Sequence, residues 1–132
     1  MKLITRDTDY VIRALCYIAE SKDKVVSAAE LVEKLKLPKP FLRKTLQILN
    51  KKKILNSYKG LGGGFSLAVS PSKISVIDLM RIFQGPIKIN ECLFKKKVCP
   101  DLKKCPLRKK IDCIERKVLS DLGNITIASL TK

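Results

Sequence analysis

Two short helical segments separated by a very short turn constrain the fold more than any other feature of this chain. Ser27 and Glu30 have the spacing of a capping box, which predicts the start of a helix. Pro40 suits the first turn of a second helix, where no intrahelical N–H donor is needed. Only residues 36–39 lie between the two segments. This arrangement predicts a helix-turn-helix motif.

The second helix of the pair, predicted from Pro40 to about Lys52, has two chemically different faces. At about 100° per residue, apolar side chains fill one arc and polar side chains fill the other. The polar arc contains Lys39, Arg43, Lys44, Gln47, Asn50 and Lys51. It carries no acid, unlike an ordinary solvated face, and its side-chain types read guanine and adenine edges or contact phosphates. We therefore expect DNA contacts from Lys39, Arg43, Lys44 and Gln47.

The composition favours a polyanionic partner. The 132 residues include 28 Lys+Arg and 12 Asp+Glu, which gives a formal net charge of +16. Such a balance indicates nucleic acid, although a lysine-rich composition can also serve only to solvate the surface. The length fits one domain with a sizeable core, and no apolar run is long enough to span a membrane. Without a signal peptide at the start, we expect a cytoplasmic protein.

A glycine-rich stretch, residues 60–64, separates two short segments with strand character. Strands are predicted over Ile54–Lys59 and Phe65–Val69, with the glycines at the tip of a hairpin. A phosphate-binding loop is the alternative, but the GxxxxGK[ST] pattern is absent. After a helix-turn-helix, such a hairpin is a wing whose backbone can approach the sugar–phosphate surface. We expect wing contacts to DNA from Lys59, Gly62 and Gly63.

Three of the five cysteines, Cys92, Cys99 and Cys105, lie in one lysine-rich segment. Thiolates are the ligands that soft metals and iron–sulfur clusters prefer, and nearby lysines favour the thiolate form. A disulfide framework fits poorly with an odd number of cysteines and no signal peptide. Structural zinc stays open, although zinc sites usually pair cysteines as CxxC and this chain has no histidine. The segment therefore predicts a ligand site.

The first helix is predicted over Thr8–Ser21 from the recurrence of its apolar residues. Asp7 and Asp9 lie at its start, where acidic side chains stabilise a helix. Cys16 has helical spacing to neighbouring apolar residues, so we expect it to be a small buried hydrophobe.

Two further helices follow the wing. Ser75 can cap the first of them, and the last is predicted from Pro106 to about Leu122. The last helix has one narrow apolar stripe, made of Leu107, Ile111, Ile114, Val118 and Leu122. A narrow stripe on a terminal helix suits pairing with a second copy of the chain, although docking onto its own domain would also use it.

The order of elements resembles the IscR/NsrR/RirA family of winged helix-turn-helix iron–sulfur transcription regulators. It runs through a first helix, a helix-turn-helix, the GLGGGF wing, the ISVIDLMRIFQG helix, three cysteines, a long helix and a GNITIASL tail. The resemblance covers essentially the whole chain and implies a mainly α fold with a small β-wing. Residues 1–85 would be the DNA-binding region, and residues 86–132 the cysteine loop and long C-terminal dimerisation helix, within one integrated domain. It also implies a homodimer, a palindromic double-stranded DNA site and an iron–sulfur cluster.

Carried over position by position, the resemblance makes Cys92, Cys99 and Cys105 the cluster cysteines. IscR-type members use a histidine where this chain has Arg108, whereas NsrR-type members use an aspartate of the partner chain that Asp9 matches. The implied ligand set is three thiolates and one carboxylate, with a 4Fe–4S cluster favoured and 2Fe–2S as the alternative. The substitutes for Asp9 are Asp7, Glu91 and Cys113, although Cys113 lies about 12 Å along the helix from Cys105.

The expected function is that of a dimeric, sequence-specific transcription regulator whose DNA affinity is set by the cluster, which senses nitric oxide, redox state or iron status. Repression is the expected mode, and activation stays open. Two alternatives stay open. The cysteines could form a disulfide switch without iron, or hold a zinc ion that only staples the fold. An enzyme is not expected, because the chain has no histidine and no nucleophile–base arrangement at a recognisable spacing.

Overall fold

The computed structural model describes residues 2–21, 25–89 and 105–131. Within these ranges the chain is mainly helical with one small antiparallel sheet, as the sequence predicts. The elements are α1 (Arg6–Glu20), α2 (Ala28–Leu35), α3 (Lys39–Lys51), β1 (Leu55–Tyr58), β2 (Gly64–Leu67), a 3₁₀ turn (Pro71–Lys73), α4 (Val76–Gln84), α5 (Pro106–Gly123) and α6 (Ile127–Leu130). The helix ends differ from the predicted ones by only one or two residues.

Helices α2 and α3 form the helix-turn-helix motif, and Ser27 begins it. The Ser27 hydroxyl oxygen accepts a 3.1 Å hydrogen bond from Glu30 N. The Glu30 carboxylate does not complete the predicted capping box, since it accepts a 2.7 Å hydrogen bond from Tyr17 Oη. This bond ties α2 to α1 and raises the pKa of the Tyr17 hydroxyl. Lys36, with a φ of 55°, ends α2 in the left-handed conformation.

The main core lies where α1, α2, α3 and the base of the hairpin meet. Its fully buried side chains include Val11, Ala14, Leu15, Leu31, Leu42, Leu46, Leu49 and Leu55. The members in α1 and α3 have the helical spacing that the sequence predicts. Because one face of α3 is buried in this core, its opposite face is turned to solvent.

The wing is an antiparallel hairpin in which Tyr58 pairs with Gly64 next to the tip. At the base of the hairpin its strands are shorter than predicted, since β1 begins at Leu55 and β2 ends at Leu67. Val26 adds a third chain segment to it. The Val26 N–H donates to the Phe65 carbonyl, and the Val26 carbonyl accepts from Phe65 N, both at 2.8 Å. A Cβ atom at Gly64 would collide with the Val26 carbonyl, so this position needs glycine. The wing is thus fixed to the segment that precedes α2.

A second, smaller core joins α4 to α5 and to the C-terminal segment. It contains the buried residues Val76, Ile77, Met80 and Leu122. Ser75 caps α4 as predicted, because its hydroxyl oxygen accepts a 3.2 Å hydrogen bond from Asp78 N. Helix α6 begins with a reciprocal capping box between Thr126 and Ser129 and buries Ile127 completely. The C-terminal segment is therefore part of the folded body.

The N-terminal half of α5 keeps its apolar stripe exposed. Leu107 is 66% exposed and Ile114 is 49% exposed, whereas Leu122 near the other end is buried. The described residues therefore bury the C-terminal end of the stripe and cover Ile111 in part. Leu107 and Ile114 stay available to another surface.

A lysine occupies the left-handed position that ends α3, where glycine is the usual residue. Lys53 has a φ of 64°, and hydrogen bonds of 3.0 Å from Lys53 N to Asn50 O and from Ile54 N to Leu49 O close a Schellman motif. Lys53→Gly is expected to raise the free energy of unfolding by about 1 kcal/mol, because it removes the left-handed strain. Chemical denaturation measures this change.

The neighbouring Lys52 is the matched control, since Lys52→Gly removes the same charge from a residue with a φ of −81°. The free energy of unfolding of that variant is expected to fall by about 0.5–1 kcal/mol, because glycine there only adds chain entropy to the unfolded state. Equal changes in both variants would contradict the assignment of strain to Lys53.

Candidate nucleic-acid interface and cysteine site

The outer face of α3 carries the predicted DNA-contacting side chains. Exposed on this face are Lys39, Arg43, Lys44 and Gln47. The opposite face is buried in the core through Leu42, Thr45, Leu46 and Leu49. The structure therefore brings the four predicted residues together on one solvent-facing side of a helix whose orientation is fixed by packing.

Asn50 belongs to the same polar arc, but its side chain makes a structural hydrogen bond within the chain. Its Nδ2 atom donates a 2.9 Å hydrogen bond to the Leu55 carbonyl. This bond joins the end of α3 to the first residue of the wing. The helical pattern of the sequence gives no sign of it, since the partner is a backbone carbonyl in the following strand.

The chain segment that contains this face is free of acidic residues. From Lys34 to Ile77 the chain contains no aspartate or glutamate. Its basic residues are Lys34, Lys36, Lys39, Arg43, Lys44, Lys51, Lys52, Lys53, Lys59 and Lys73. None of them forms an ion pair with any residue that the structure describes. Unpaired cations concentrated in one acid-free segment create a positive potential that attracts a polyanion.

The tip of the wing is a closed turn. Gly63 N donates a 3.0 Å hydrogen bond to the Gly60 carbonyl, and Gly62 has a φ of 75°. A Cβ atom at Gly63 would collide with the Tyr58 carbonyl. Two of the predicted wing contacts, Gly62 and Gly63, thus have a structural requirement of their own. Lys59 is exposed just after β1, next to the turn.

Two of the three predicted cluster cysteines, Cys92 and Cys99, lie outside the described residues, as does Glu91. Cys105 is described and is the residue just before α5, with Pro106 in the first turn as predicted. Its thiol is free and half-buried. It makes no side-chain capping hydrogen bond to the helix.

The other two cysteines are in helices. Cys113 is exposed on α5, which is unbroken from Pro106 onward. Eight residues of continuous helix separate it from Cys105 by about 12 Å along the axis. Cys16 is half-buried and packs against the main core, as expected of a small hydrophobe. Burial and, secondarily, the nearby Glu20 carboxylate raise the pKa of the Cys16 thiol.

Asp9, the predicted carboxylate ligand, lies in the first turn of α1. Its Oδ2 atom accepts a 2.9 Å hydrogen bond from Arg13 Nε one turn later, and both side chains are about half exposed. Asp7 is exposed in the same turn. In residues 2–21, 25–89 and 105–131, no group of three or more His, Cys, Asp or Glu side chains is placed to hold a metal ion.

Glu115 holds the segment that leads toward the predicted cluster cysteines. Its Oε1 atom accepts a 3.2 Å hydrogen bond from Ile89 N, and Oε2 lies 3.9 Å from Lys88 Nζ. The Glu115 side chain is only 13% exposed. The chain therefore leaves α4 and passes along the middle of α5 at this point. This contact was not predicted, and its only signal in the sequence is an acid on the predicted dimerisation helix.

Gln84 connects the end of α4 to the start of α1. Its Oε1 atom accepts a 2.9 Å hydrogen bond from Thr5 N, and its Nε2 donates a 3.2 Å hydrogen bond to the Leu3 carbonyl. Thr5 is the capping residue of α1, the helix that carries Asp9. The helix with the predicted carboxylate ligand is thus fixed to the element that precedes the cysteine loop.

The helix-turn-helix is packed into the core on one side and exposes basic side chains without ion-pair partners among the described residues on the other. A hairpin with an exposed lysine follows it. These features define a winged helix-turn-helix protein. Residues 4–132 match the model of the Rrf2 family, described as an iron-dependent transcriptional regulator. The chain belongs to this family and is a transcriptional regulator, which confirms the resemblance seen in the sequence.

Individual relatives agree with this assignment. An HTH-type transcriptional regulator of Aquifex aeolicus is 37% identical over 92 residues, which cover 70% of this chain and 64% of that protein. The structure of CymR, described as the global cysteine regulator of B. subtilis, matches with a TM-score of 0.81 at 20% identity and covers 98% of this chain and 96% of that one. The structure of T. potens IscR matches with a TM-score of 0.74 at 22% identity, over 98% of this chain and 85% of that one.

The two solved structures confirm the predicted fold class, a winged helix-turn-helix with a long C-terminal helix. The family and the similar proteins are transcription regulators and not enzymes. No helix in the described part of the chain combines the length and apolar character needed to cross a membrane.

Proposed function

We propose that this chain is a cytoplasmic, homodimeric repressor that binds a palindromic double-stranded DNA site with an affinity set by an iron–sulfur cluster. The observation that carries the DNA-binding part is the exposed face of α3, which lies in a stretch without a single acid. The family description as iron-dependent supports the cluster.

In this proposal residues 1–85 bind DNA and residues 86–132 hold the cluster and the dimer together. Helix α3 lies in the major groove, where Arg43 and Gln47 can read base edges and Lys39 and Lys44 contact phosphates. The wing reaches the flanking backbone through Lys59, with Gly62 and Gly63 allowing close approach. Exposed Leu107 and Ile114 supply the apolar surface that a partner's α5 would cover.

The ligands would be Cys92, Cys99 and Cys105, with Asp9 of the partner chain as the fourth. Three thiolates and a carboxylate suit a 4Fe–4S cluster, with 2Fe–2S as the alternative. When bound, the cluster supplies a charged, oxidisable centre that nitric oxide, redox state or iron supply can alter. Asp9 first has to leave Arg13, and losing such an exposed ion pair costs at most about 1 kcal/mol.

The chain's own contacts can carry a change at Asp9 to the recognition helix. Gln84 fixes the start of α1, and Tyr17 on the same helix is hydrogen-bonded to Glu30 of α2. A small displacement of α1 therefore moves the helix-turn-helix as a unit. Because the two half-sites are read about one helical turn of DNA apart, a changed spacing of the two α3 helices lowers affinity.

An iron-free thiol switch is the second candidate, and the free Cys105 thiol at the start of α5 favours it. A solved structure with a similar fold is described as the oxidized form of Staphylococcus aureus CymR. A peroxide would then take two electrons from Cys105 and a second cysteine and be reduced to water, and the resulting disulfide would alter the start of the dimerisation helix.

Iron and acid-labile sulfide per chain, measured with a visible spectrum on protein purified without oxygen, test the proposal. We expect matching amounts of both, and DNA affinity that changes when the cluster is removed. Asp9→Ala is expected to make the cluster more labile, while Asp7→Ala leaves it unchanged. Zinc, or no metal after anaerobic reconstitution, would contradict the cluster, and reversible oxidation without iron would establish the thiol switch in its place.

A further inference from the structure

The tip of the wing carries the most exposed large apolar side chain among the described residues. Leu61 has a relative exposure of 107%, compared with 66% for Leu107 and 48% for Tyr58. Among the residues that the structure describes, none covers this leucine, so its apolar surface is available to a partner.

The tip is a defined turn and not a loose connection. The hydrogen bond from Gly63 N to the Gly60 carbonyl closes it around Leu61, and the strand pairing begins directly behind it at Tyr58 and Gly64. The base of the hairpin is held in turn by Val26. Leu61 is therefore presented in one direction at the end of a fixed arm.

The arm is also narrow. Leu61 is the only residue with a side chain in residues 60–64. A Cβ atom at Gly60 or at Gly62 would meet nothing within 4 Å, so the flanks of the leucine are bare backbone facing open space. The minor groove of B-DNA is only about 6 Å wide, and a tip of this shape fits it where a hairpin with larger neighbours would not.

The charge of the surroundings selects the kind of partner. Lys59 is exposed beside the tip, and no acidic residue occurs from Lys34 to Ile77. A protein-binding site usually has a broad apolar centre, whereas this is one leucine among glycines next to a lysine. Proteins that enter the minor groove use such single apolar wedges, leucine among them, between base steps.

We propose that Leu61 inserts into the minor groove of the bound DNA and wedges between adjacent base pairs there. As an apolar wedge it favours flexible pyrimidine–purine steps, so the wing contributes sequence preference through DNA deformability. Because Leu61 can reach a groove only when α3 engages the same duplex, this role rests on the proposed DNA-binding function.

The test uses the full chain and a short duplex that the wild-type protein selects from a randomised library, with 2-aminopurine placed at the steps that face the wing. Leu61→Ala is expected to weaken binding roughly tenfold. It should also lower the 2-aminopurine fluorescence, which rises when a base is unstacked. The dependence of affinity on salt should not change, since no phosphate contact is lost. Lys59→Ala is the matched comparison and should reduce the salt slope by about one.

Leu61→Met, which keeps an apolar tip, should bind like the wild-type chain. An unchanged melting temperature is expected for both Leu61 variants because no described residue buries the side chain. Wild-type affinity of Leu61→Ala with an unchanged 2-aminopurine signal would overturn the wedge. If Leu61→Ala bound DNA normally but no longer repressed transcription in a purified reaction, the wedge would also be overturned. Leu61 would then be assigned to a protein partner. If the wild-type chain selected no duplex, the proposed function itself would fail.

Discussion

Replacing Cys105 by serine is expected to reduce the iron and sulfide retained per chain to background after anaerobic reconstitution. A serine hydroxyl is a hard, poorly ionised ligand where a cluster needs a thiolate. The loss should be at least tenfold, and the DNA affinity of the reconstituted variant should equal that of the wild-type chain without its cluster. Iron and sulfide assays with a DNA titration measure both effects.

The structure provides a matched control on the same helix. Cys113→Ser changes the same atom on an exposed residue about 12 Å further along α5, and it should keep the full amount of iron. Unfolding of the variant would not explain a loss of iron in Cys105→Ser. The Cys105 side chain makes no capping bond, and serine is a good capping residue. Iron retained in Cys105→Ser, or lost equally in Cys113→Ser, would contradict the ligand assignment.

The parts of this fold that local signals specify could be predicted from the sequence. Ser27 and Ser75 mark helix starts because a hydroxyl satisfies backbone N–H groups within the next few residues, and both do so in the structure. The apolar period of α3 fixes which side is buried and hence which side carries Arg43. These features depend on residues only three or four positions apart.

The contacts that connect the elements depend on residues far apart in the chain, and no local pattern encodes them. Gln84 binds Thr5 across 79 positions, and Glu115 binds Ile89 across 26. Glu30 could have completed its own capping box, yet its carboxylate accepts a bond from Tyr17. Such side chains have several feasible partners, and only the packing of the helices chooses among them.

The candidate site divides in the same way. The acid-free face of α3 follows from helical periodicity alone, so its four predicted residues are found together. The proposed cluster ligands lie far apart in the sequence, and the resemblance takes one of them from a second chain, so spacing alone cannot place them. The wing glycines show the limit of assigning roles from composition. Gly63 and Gly64 are required by neighbouring carbonyls of Tyr58 and Val26, whatever their role toward DNA.

Arg43→Ala is expected to weaken binding to the selected duplex by about 1–3 kcal/mol, or roughly 5- to 150-fold, because a guanidinium on the exposed face of α3 can bind guanine with two hydrogen bonds. On a scrambled duplex the loss should be much smaller. Titrations of both duplexes at several salt concentrations separate base reading from phosphate contact.

Arg81, an exposed arginine on α4 outside the acid-free stretch, is the control. Arg81→Ala removes the same net charge and should leave the preference for the selected duplex unchanged. If Arg43→Ala lost equal affinity on both duplexes, Arg43 would be a phosphate contact. If both arginine variants lost the same affinity on the selected duplex, the outer face of α3 would act only through its charge, and base reading would have to come from elsewhere.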